Sequence, residues 1–328
     1  MNWKFWAAGA LLAASLTAAP IAAAATCTTQ AEMTAQDRDM LSSVALHLAA
    51  AVGQQDYGTL QTGLLPAEAP SWSGIRDAAE QAAPLLTGGQ LQVRNLYLMD
   101  ASMQPAPADT QFFCSDSTGA LNVTITMRAL PPGRYALALA DAVGAKLAGQ
   151  IGIILGFDGA NGGWKLAGLA AHQGVFDGHD GVWYWSRGRA LAHTDPWSAW
   201  YSYDAARYLL IPVSFLSSPN LQKLDQEQAQ IQPTPEKAFP LSLQQGDRTW
   251  KVDAIELDPS LHEPDLAVAY ESTGVTDPAA LRTEATSVMS ALLKAQPGLR
   301  ANFHGLWAYA VKNGQRSPVM ELPMSQIP

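Results

Sequence analysis

The chain carries few of the patterns that announce a chemistry. It has two cysteines in 328 residues, too few for a paired-cysteine zinc site, and no H-E-x-x-H supplies the histidine alternative. Acyl transfer wants a serine in G-x-S-x-G or S-x-x-K, and neither occurs. No G-x-x-x-x-G-K is present to cradle a phosphate, and "GQIGIILG" has strand-like glycine spacing without the helix that a dinucleotide site needs. A calcium loop of the D-x-[DN]-x-[DN]-G type is also absent. No cofactor and no metal are therefore expected. Positive charge is scarce: 20 lysines and arginines face 29 acidic residues, a net charge of −9, which argues against nucleic acid as a partner. After the first 25 residues no apolar run approaches the roughly 20 residues that cross a bilayer.

What is present begins at the N-terminus. Lys4 precedes "FWAAGALLAASLTAAPIAAAA", an apolar run broken by Pro20 and ending in alanines suited to A-x-A cleavage. Residues 1–25 read as a secretory signal peptide that sends the chain to the periplasm or the extracellular space. Cleavage removes Lys4 and leaves the mature chain one unit more acidic. Cys27 and Cys114 both survive, and in an oxidising compartment they are expected to pair. Such a bridge ties down the new N-terminus and is worth roughly 2–4 kcal/mol. A lipid-modified Cys27, or two separate thiols, is the alternative.

Residues 36–53 place Met40, Leu41, Val44, Leu48 and Val52 on one stripe at helical spacing. A second helix follows Ser71, with Trp72, Ile75, Ala79 and Ala82 on a face until Pro84 disturbs the last turn. From residue 90 the period becomes alternating, and "LQVRNLYLMD", "TQFFCS", "LNVTITMRAL", "RYALALADA", "GQIGIILGF" and "GWKLAGLAAH" each read as a strand. Helices first and strands afterwards predict an α+β class, with helices on one face of an antiparallel sheet. Residues 157–164, "FDGANGGW", and 176–183, "FDGHDGVW", share Phe, Asp, Gly, Gly and Trp in register. Both read as turns built from residues that tolerate positive φ, the second redirecting the chain from sheet to helix.

Beyond it, Asp195-Pro196 and Ser218-Pro219 are capping residues followed by proline at the first helical position. Trp197, Trp200, Tyr201, Ala205, Tyr208 and Leu209 then recur at helical spacing. Residues 226–240 are rich in Gln and Pro and read as a linker or extended crossing. After it come three or so strands from "LSLQQGDRTWKVDAIELD" and "DLAVAYES", a helix from Asp277-Pro278 and a final hairpin around Asn313-Gly314, with the alternation in "RANFHGLWAYAV" putting Ala301, Phe303, Gly305, Trp307 and Tyr309 on one face. The organisation expected is a signal at 1–25, an α+β domain at 26–180, a helical hairpin at 181–230, a linker at 231–240 and a small α+β domain at 241–328.

The order helix, helix, strand meander, closing on "DGANGGWKLAGLAAH", resembles the nuclear transport factor two-like, or cystatin-like, cone over residues 30–175. That resemblance implies a strongly bent sheet wrapped around the helices, often with a pocket between them. The paired helices with Ala205-Ala206 resemble a tetratricopeptide-type hairpin, present as one unit without a repeat.

The motif inventory points to an exported, non-enzymatic binding or scaffold protein, with a partner protein or a small apolar ligand. Trp183, Trp185, Trp197, Trp200 and Tyr201 are the candidate interface. The alternative is a small-molecule enzyme of isomerase or hydrolase type that uses acid–base residues of the cone pocket. His172, Asp177 and His179 are its candidates.

Overall fold

The computed structural model describes residues 25–119 and 122–328; the signal-peptide reading falls on residues 1–24 and lies outside them. In chain order the elements are β1 (Thr26–Thr29), α1 (Ala35–Gly53), α2 (Tyr57–Thr62), α3 (Trp72–Leu86), β2 (Gln90–Asp100), β3 (Ala108–Ser115), β4 (Asn122–Leu130), β5 (Arg134–Val143), β6 (Gln150–Asp158) and β7 (Gly163–His172). Then come β8 (Val175–Phe176), β9 (His179–Asp180), α4 (Gly181–Leu191), α5 (Pro196–Leu210), β10 (Leu216–Ser217) and α6 (Pro219–Ala229). The last stretch holds β11 (Leu241–Gln245), β12 (Arg248–Asp258), β13 (Asp265–Glu271), α7 (Pro278–Ala295), α8 (Gly298–Asn302), β14 (Gly305–Lys312) and β15 (Gln315–Pro323). The class is α+β.

The first sheet runs β1-β2-β5-β6-β7, all antiparallel. Its central strand β5 is nearly continuously apolar because both faces are covered. Ala136, Ala138, Ala140 and Ala142 point into a core shared with Leu41, Ala45, Leu48 and Val52 of α1 and Ile75, Ala79 and Leu86 of α3. The small side chains let the helices lie close to the sheet. Tyr135, Leu137 and Leu139, on the other face, pack with Phe112, Ile125 and Leu216 of a second sheet, β10-β4-β3. The strands expected as one meander thus split into two layers. Register shifts in β2 between Val93 and Asn95, and in β6 between Ile154 and Leu155, add local bends to the first sheet.

Cys27 and Cys114 form a disulfide, with their Cα atoms 5.1 Å apart. It joins β1 of one sheet to β3 of the other. Among the described residues no helix is long and apolar enough to cross a membrane.

The third sheet, β11-β12-β13-β14-β15, is antiparallel except for the parallel pair β13–β14, which α7 and α8 connect. Ala301 and Asn302 belong to α8, so the alternation read through "RANFHGLWAYAV" holds only from Gly305. Its core is not closed within residues 241–328. Leu243, Trp250, Val268, Val288 and Leu306 share one apolar cluster with Tyr184, Trp197, Tyr201 and Leu209 from α4 and α5. The segment 181–230 is three helices and a short strand, where a two-helix hairpin was expected. Residues 231–240 are not a free tether: Ile231 and Pro235 are buried, and the Phe239 ring meets Trp197 edge-on at 6.0 Å.

Candidate functional site

The turn that opens the site is dictated locally. Asp177 and Gly178 have φ of 46° and 74°, the left-handed pair of a two-residue hairpin loop, which Asp and Gly accept at little cost. It closes β8 on β9 and sets Asp177 and His179 along one cleft. Asp180 then caps α4, its carboxylate accepting from the Trp183 N–H at 2.8 Å. One helical turn on, the Trp183 indole lies flat on the His179 ring at 3.8 Å. The Arg187 guanidinium sits 5.1 Å above the same indole and donates to Asn302 Oδ1 in α8.

Opposite this wall stands the C-terminal unit. A cleft of about 280 Å³ is lined by Asp177, His179, Trp183, Tyr184 and Arg187 on one side and by Glu263, Pro264, Asn302, Phe303 and His304 on the other. The segments that meet there lie far apart in sequence. Polar and ring side chains dominate, and among the described residues the lining holds no serine, threonine or cysteine to serve as a hydroxyl or thiol nucleophile of the usual kind. Burial holds the Tyr184 phenol above its ordinary pKa, with Asp177 and Glu263 adding to the effect; it stays protonated at neutral pH.

Behind His304 lies a fully buried carboxylate. His304 Nδ1 and Asp265 Oδ1 are 2.8 Å apart, the imidazole partly exposed and the Asp265 side chain inaccessible. Desolvation pushes the Asp265 pKa up against the pull of His304. The imidazole is itself partly desolvated, but the Asp265 bond and the charges of Asp265, Glu263 and Glu321 outweigh this and hold its pKa above the usual histidine value. Glu321 is raised too, by burial first and then by Asp265. An imidazole oriented by a buried carboxylate can accept, donate or shuttle a proton, or ligate a cation.

Of the three candidates from sequence, the structure brings Asp177 and His179 together and leaves His172 elsewhere. His172 ends β7 and lines a separate cavity of about 660 Å³ with Asp204, Tyr208, Pro212, Val213 and Leu257. Burial lowers its pKa, opposed by the carbonyls of Gln173 and Pro212. Asp204, in the same cavity, is raised by burial to about 6, although Gln228 Nε2 donates to it at 2.6 Å.

The interface reading is corrected for Trp197, Trp200 and Tyr201, all buried in the core between α5 and the C-terminal sheet. Their helical stripe is a packing surface because α5 has apolar neighbours on more than one side. Trp185 is half-buried, its Nε1 donating to Glu227 Oε2 at 2.8 Å beneath Arg189. Arg189 holds the Glu227 pKa down near 2. Of the five, Trp183 alone keeps substantial exposure.

The sequence did not mark Asp265, His304 or Glu321. The faint signal was a charged residue, Asp265, opening the otherwise apolar "DLAVAYE", and a His-Gly pair opening β14. One larger groove, of about 730 Å³, carries less chemistry. It lies between α1, α2 and β7 and contains His47 and Asp56, but the Asp56 carboxylate is occupied in capping α2, accepting from Thr59 N at 3.0 Å and Thr59 Oγ1 at 2.6 Å. Comparison of the chain with family models, curated proteins and solved structures finds no match.

Proposed function

We propose that this is an exported, non-enzymatic binding protein whose site is the cleft between the β8–β9 turn with α4 and the C-terminal unit. One observation carries the reading: Asp177 and His179 meet Glu263 and His304 across that cleft. Its ligand is small and polar and bears a positive charge. Asp177 and Glu263 supply the counter-charge on the two sides of the cleft, while the Trp183 indole is taken up by His179 and by Arg187, the cation already present in the lining. This stands in place of the partner protein or small apolar ligand expected from the motif inventory. Export rests on the N-terminal signal pattern and is compatible with the Cys27–Cys114 bridge; N-terminal sequencing of fractionated protein, showing a start at Thr26, is the check. The cone-like relationship of the N-terminal unit is part of this proposal, supported by its helices packed on a bulged antiparallel sheet.

The test is thermal unfolding of the purified protein with primary, secondary and quaternary amines, diamines and basic amino acids. At least one class is expected to raise the midpoint saturably, and Asp177→Asn with Glu263→Gln to abolish the shift. Asn tolerates the left-handed backbone of position 177, so that change removes charge without breaking the turn. A panel without effect, or a shift that survives both substitutions, overturns the reading.

A second reading, the acid–base enzyme, has its own observation. His172 and Asp204 line one partly apolar cavity, with the histidine pushed toward neutrality and the carboxyl toward protonation. A hydrolase or isomerase activity lost in His172→Ala supports it; no activity across such a screen, or activity indifferent to His172, removes it.

A further inference from the structure

The C-terminal unit buries two clusters around carboxylates, and they are built differently. Glu284 of α7 is fully provided for: Trp250 Nε1, Ser272 Oγ, Thr273 N and Thr273 Oγ1 all donate to it. It is a structural carboxylate. Asp265 is equally inaccessible; the Trp307 indole is a neighbouring donor that pulls its pKa down, yet neither Trp307 Nε1 nor Asp265 Oδ2 completes a well-formed hydrogen bond, and Glu321 Oε1 is buried without a partner. A buried carboxylate oxygen left unmatched is unfavourable to the fold.

The two carboxylates converge on His304. A ring nitrogen of His304 and one oxygen each from Asp265 and Glu321 lie within 4.8 Å of one another, the one such grouping of His, Cys, Asp or Glu among the described residues. Gly305 makes the approach possible: a Cβ there would stand 2.7 Å from Glu321 Oε1 and 2.9 Å from Asp265 Oδ1. β14 sits between β13 and β15, so Asp265 and Glu321 reach the spot from its two neighbouring strands. No lysine or arginine hydrogen-bonds either carboxylate among the described residues, and Asp258 and Glu263 add to the negative field.

We propose that Asp265, His304 and Glu321 bind a divalent transition-metal cation of the zinc type, reached from the cleft past His304. One imidazole and two carboxylates are a donor set suited to zinc, with a further coordination position left for water or a ligand atom. Bond lengths of roughly 2.0–2.2 Å bring tetrahedral donors to about 3.3–3.6 Å apart, so binding draws together a group whose atoms lie within 4.8 Å by at most about 1.5 Å. This inference goes beyond the amine-binding reading and does not depend on it.

The experiment is titration of chelator-treated purified protein with Zn2+ by calorimetry and with Co2+ by visible absorption. The expected result is one cation per chain, with a tetrahedral-type Co2+ spectrum. His304→Gln and Glu321→Gln are each expected to weaken binding more than about tenfold, with circular dichroism unchanged, and His193→Ala, in a different groove, to leave it intact. The Co2+ spectrum of the unmodified chain needs no variant and stands even if one fails to fold. Absence of stoichiometric binding, or either glutamine variant binding like the parent, overturns the proposal; two carboxyls that merely share a proton would give that outcome.

Discussion

Asp204 shows how one side chain sets a pH dependence. Its pKa is raised to about 6 from an ordinary 3.8, so the folded chain holds that proton more tightly than the unfolded chain does. Stability is therefore lost as pH rises from about 4 to about 6, and the cost is complete above that window. Asp204→Asn cannot titrate, and its amide oxygen can still accept from Gln228. Urea midpoints of the variant and parent are expected to coincide near pH 4 and to separate by pH 7, the variant being more stable by on the order of 1–2 kcal/mol; a gap constant across the range contradicts this. Glycines make a second residue-level contrast. A Cβ on Gly188 of α4 would meet the Tyr203 ring at 2.8 Å, while one on Gly74 of α3 would meet nothing within 4 Å. Gly188→Ala is expected to cost about 1–3 kcal/mol and Gly74→Ala to add up to about 1 kcal/mol, both read from denaturant midpoints.

At the scale of elements, the Cys27–Cys114 bridge holds an edge strand, β1, onto the layer formed by β3 and β4 across a sequence separation of 87. Its removal by Cys27→Ser with Cys114→Ser is expected to lower unfolding free energy by about 2–5 kcal/mol, with β1 the first element to gain amide exchange. Unchanged stability would mean that β1 is held by its pairing to β2 alone. Local chemistry was legible at this scale. Asp195, Ser218 and Asp277 each cap the helix their following proline begins, accepting from Ser198, Leu221 and Ala280, and the Asp177-Gly178 turn is where the dipeptide put it. The split into two sheets was not legible, because the alternation in β3 and β4 is the same whichever sheet they join. Half of the cleft could be read for a like reason: Asp177 and His179 belong to a local motif, whereas Asp265, His304 and Glu321 come together only through strand pairing across the third sheet.

The whole molecule is joined by a core that crosses the expected boundaries. Trp197, Tyr201 and Leu209 of α5 lie in one apolar cluster with Trp250, Val268 and Leu292, so the central helices and the C-terminal sheet complete each other. A chain ending at residue 240 is expected to expose that surface and to lose the near-ultraviolet signal of its tryptophans or to aggregate; a soluble fragment with native-like aromatic signals contradicts the shared core. The same docking creates the cleft, and the histidines report on it separately. His47, His193 and His172 each line a different groove, while His179 and His304 share one. The most direct measurement is therefore the nuclear magnetic resonance spectrum of the purified protein with isotope-labelled histidine, titrated with the amine panel. His179 and His304 moving together and saturably, with His47, His172 and His193 still, is the expected result; shifts confined to any of those three, or none at all, would contradict the assignment of this cleft as the binding site.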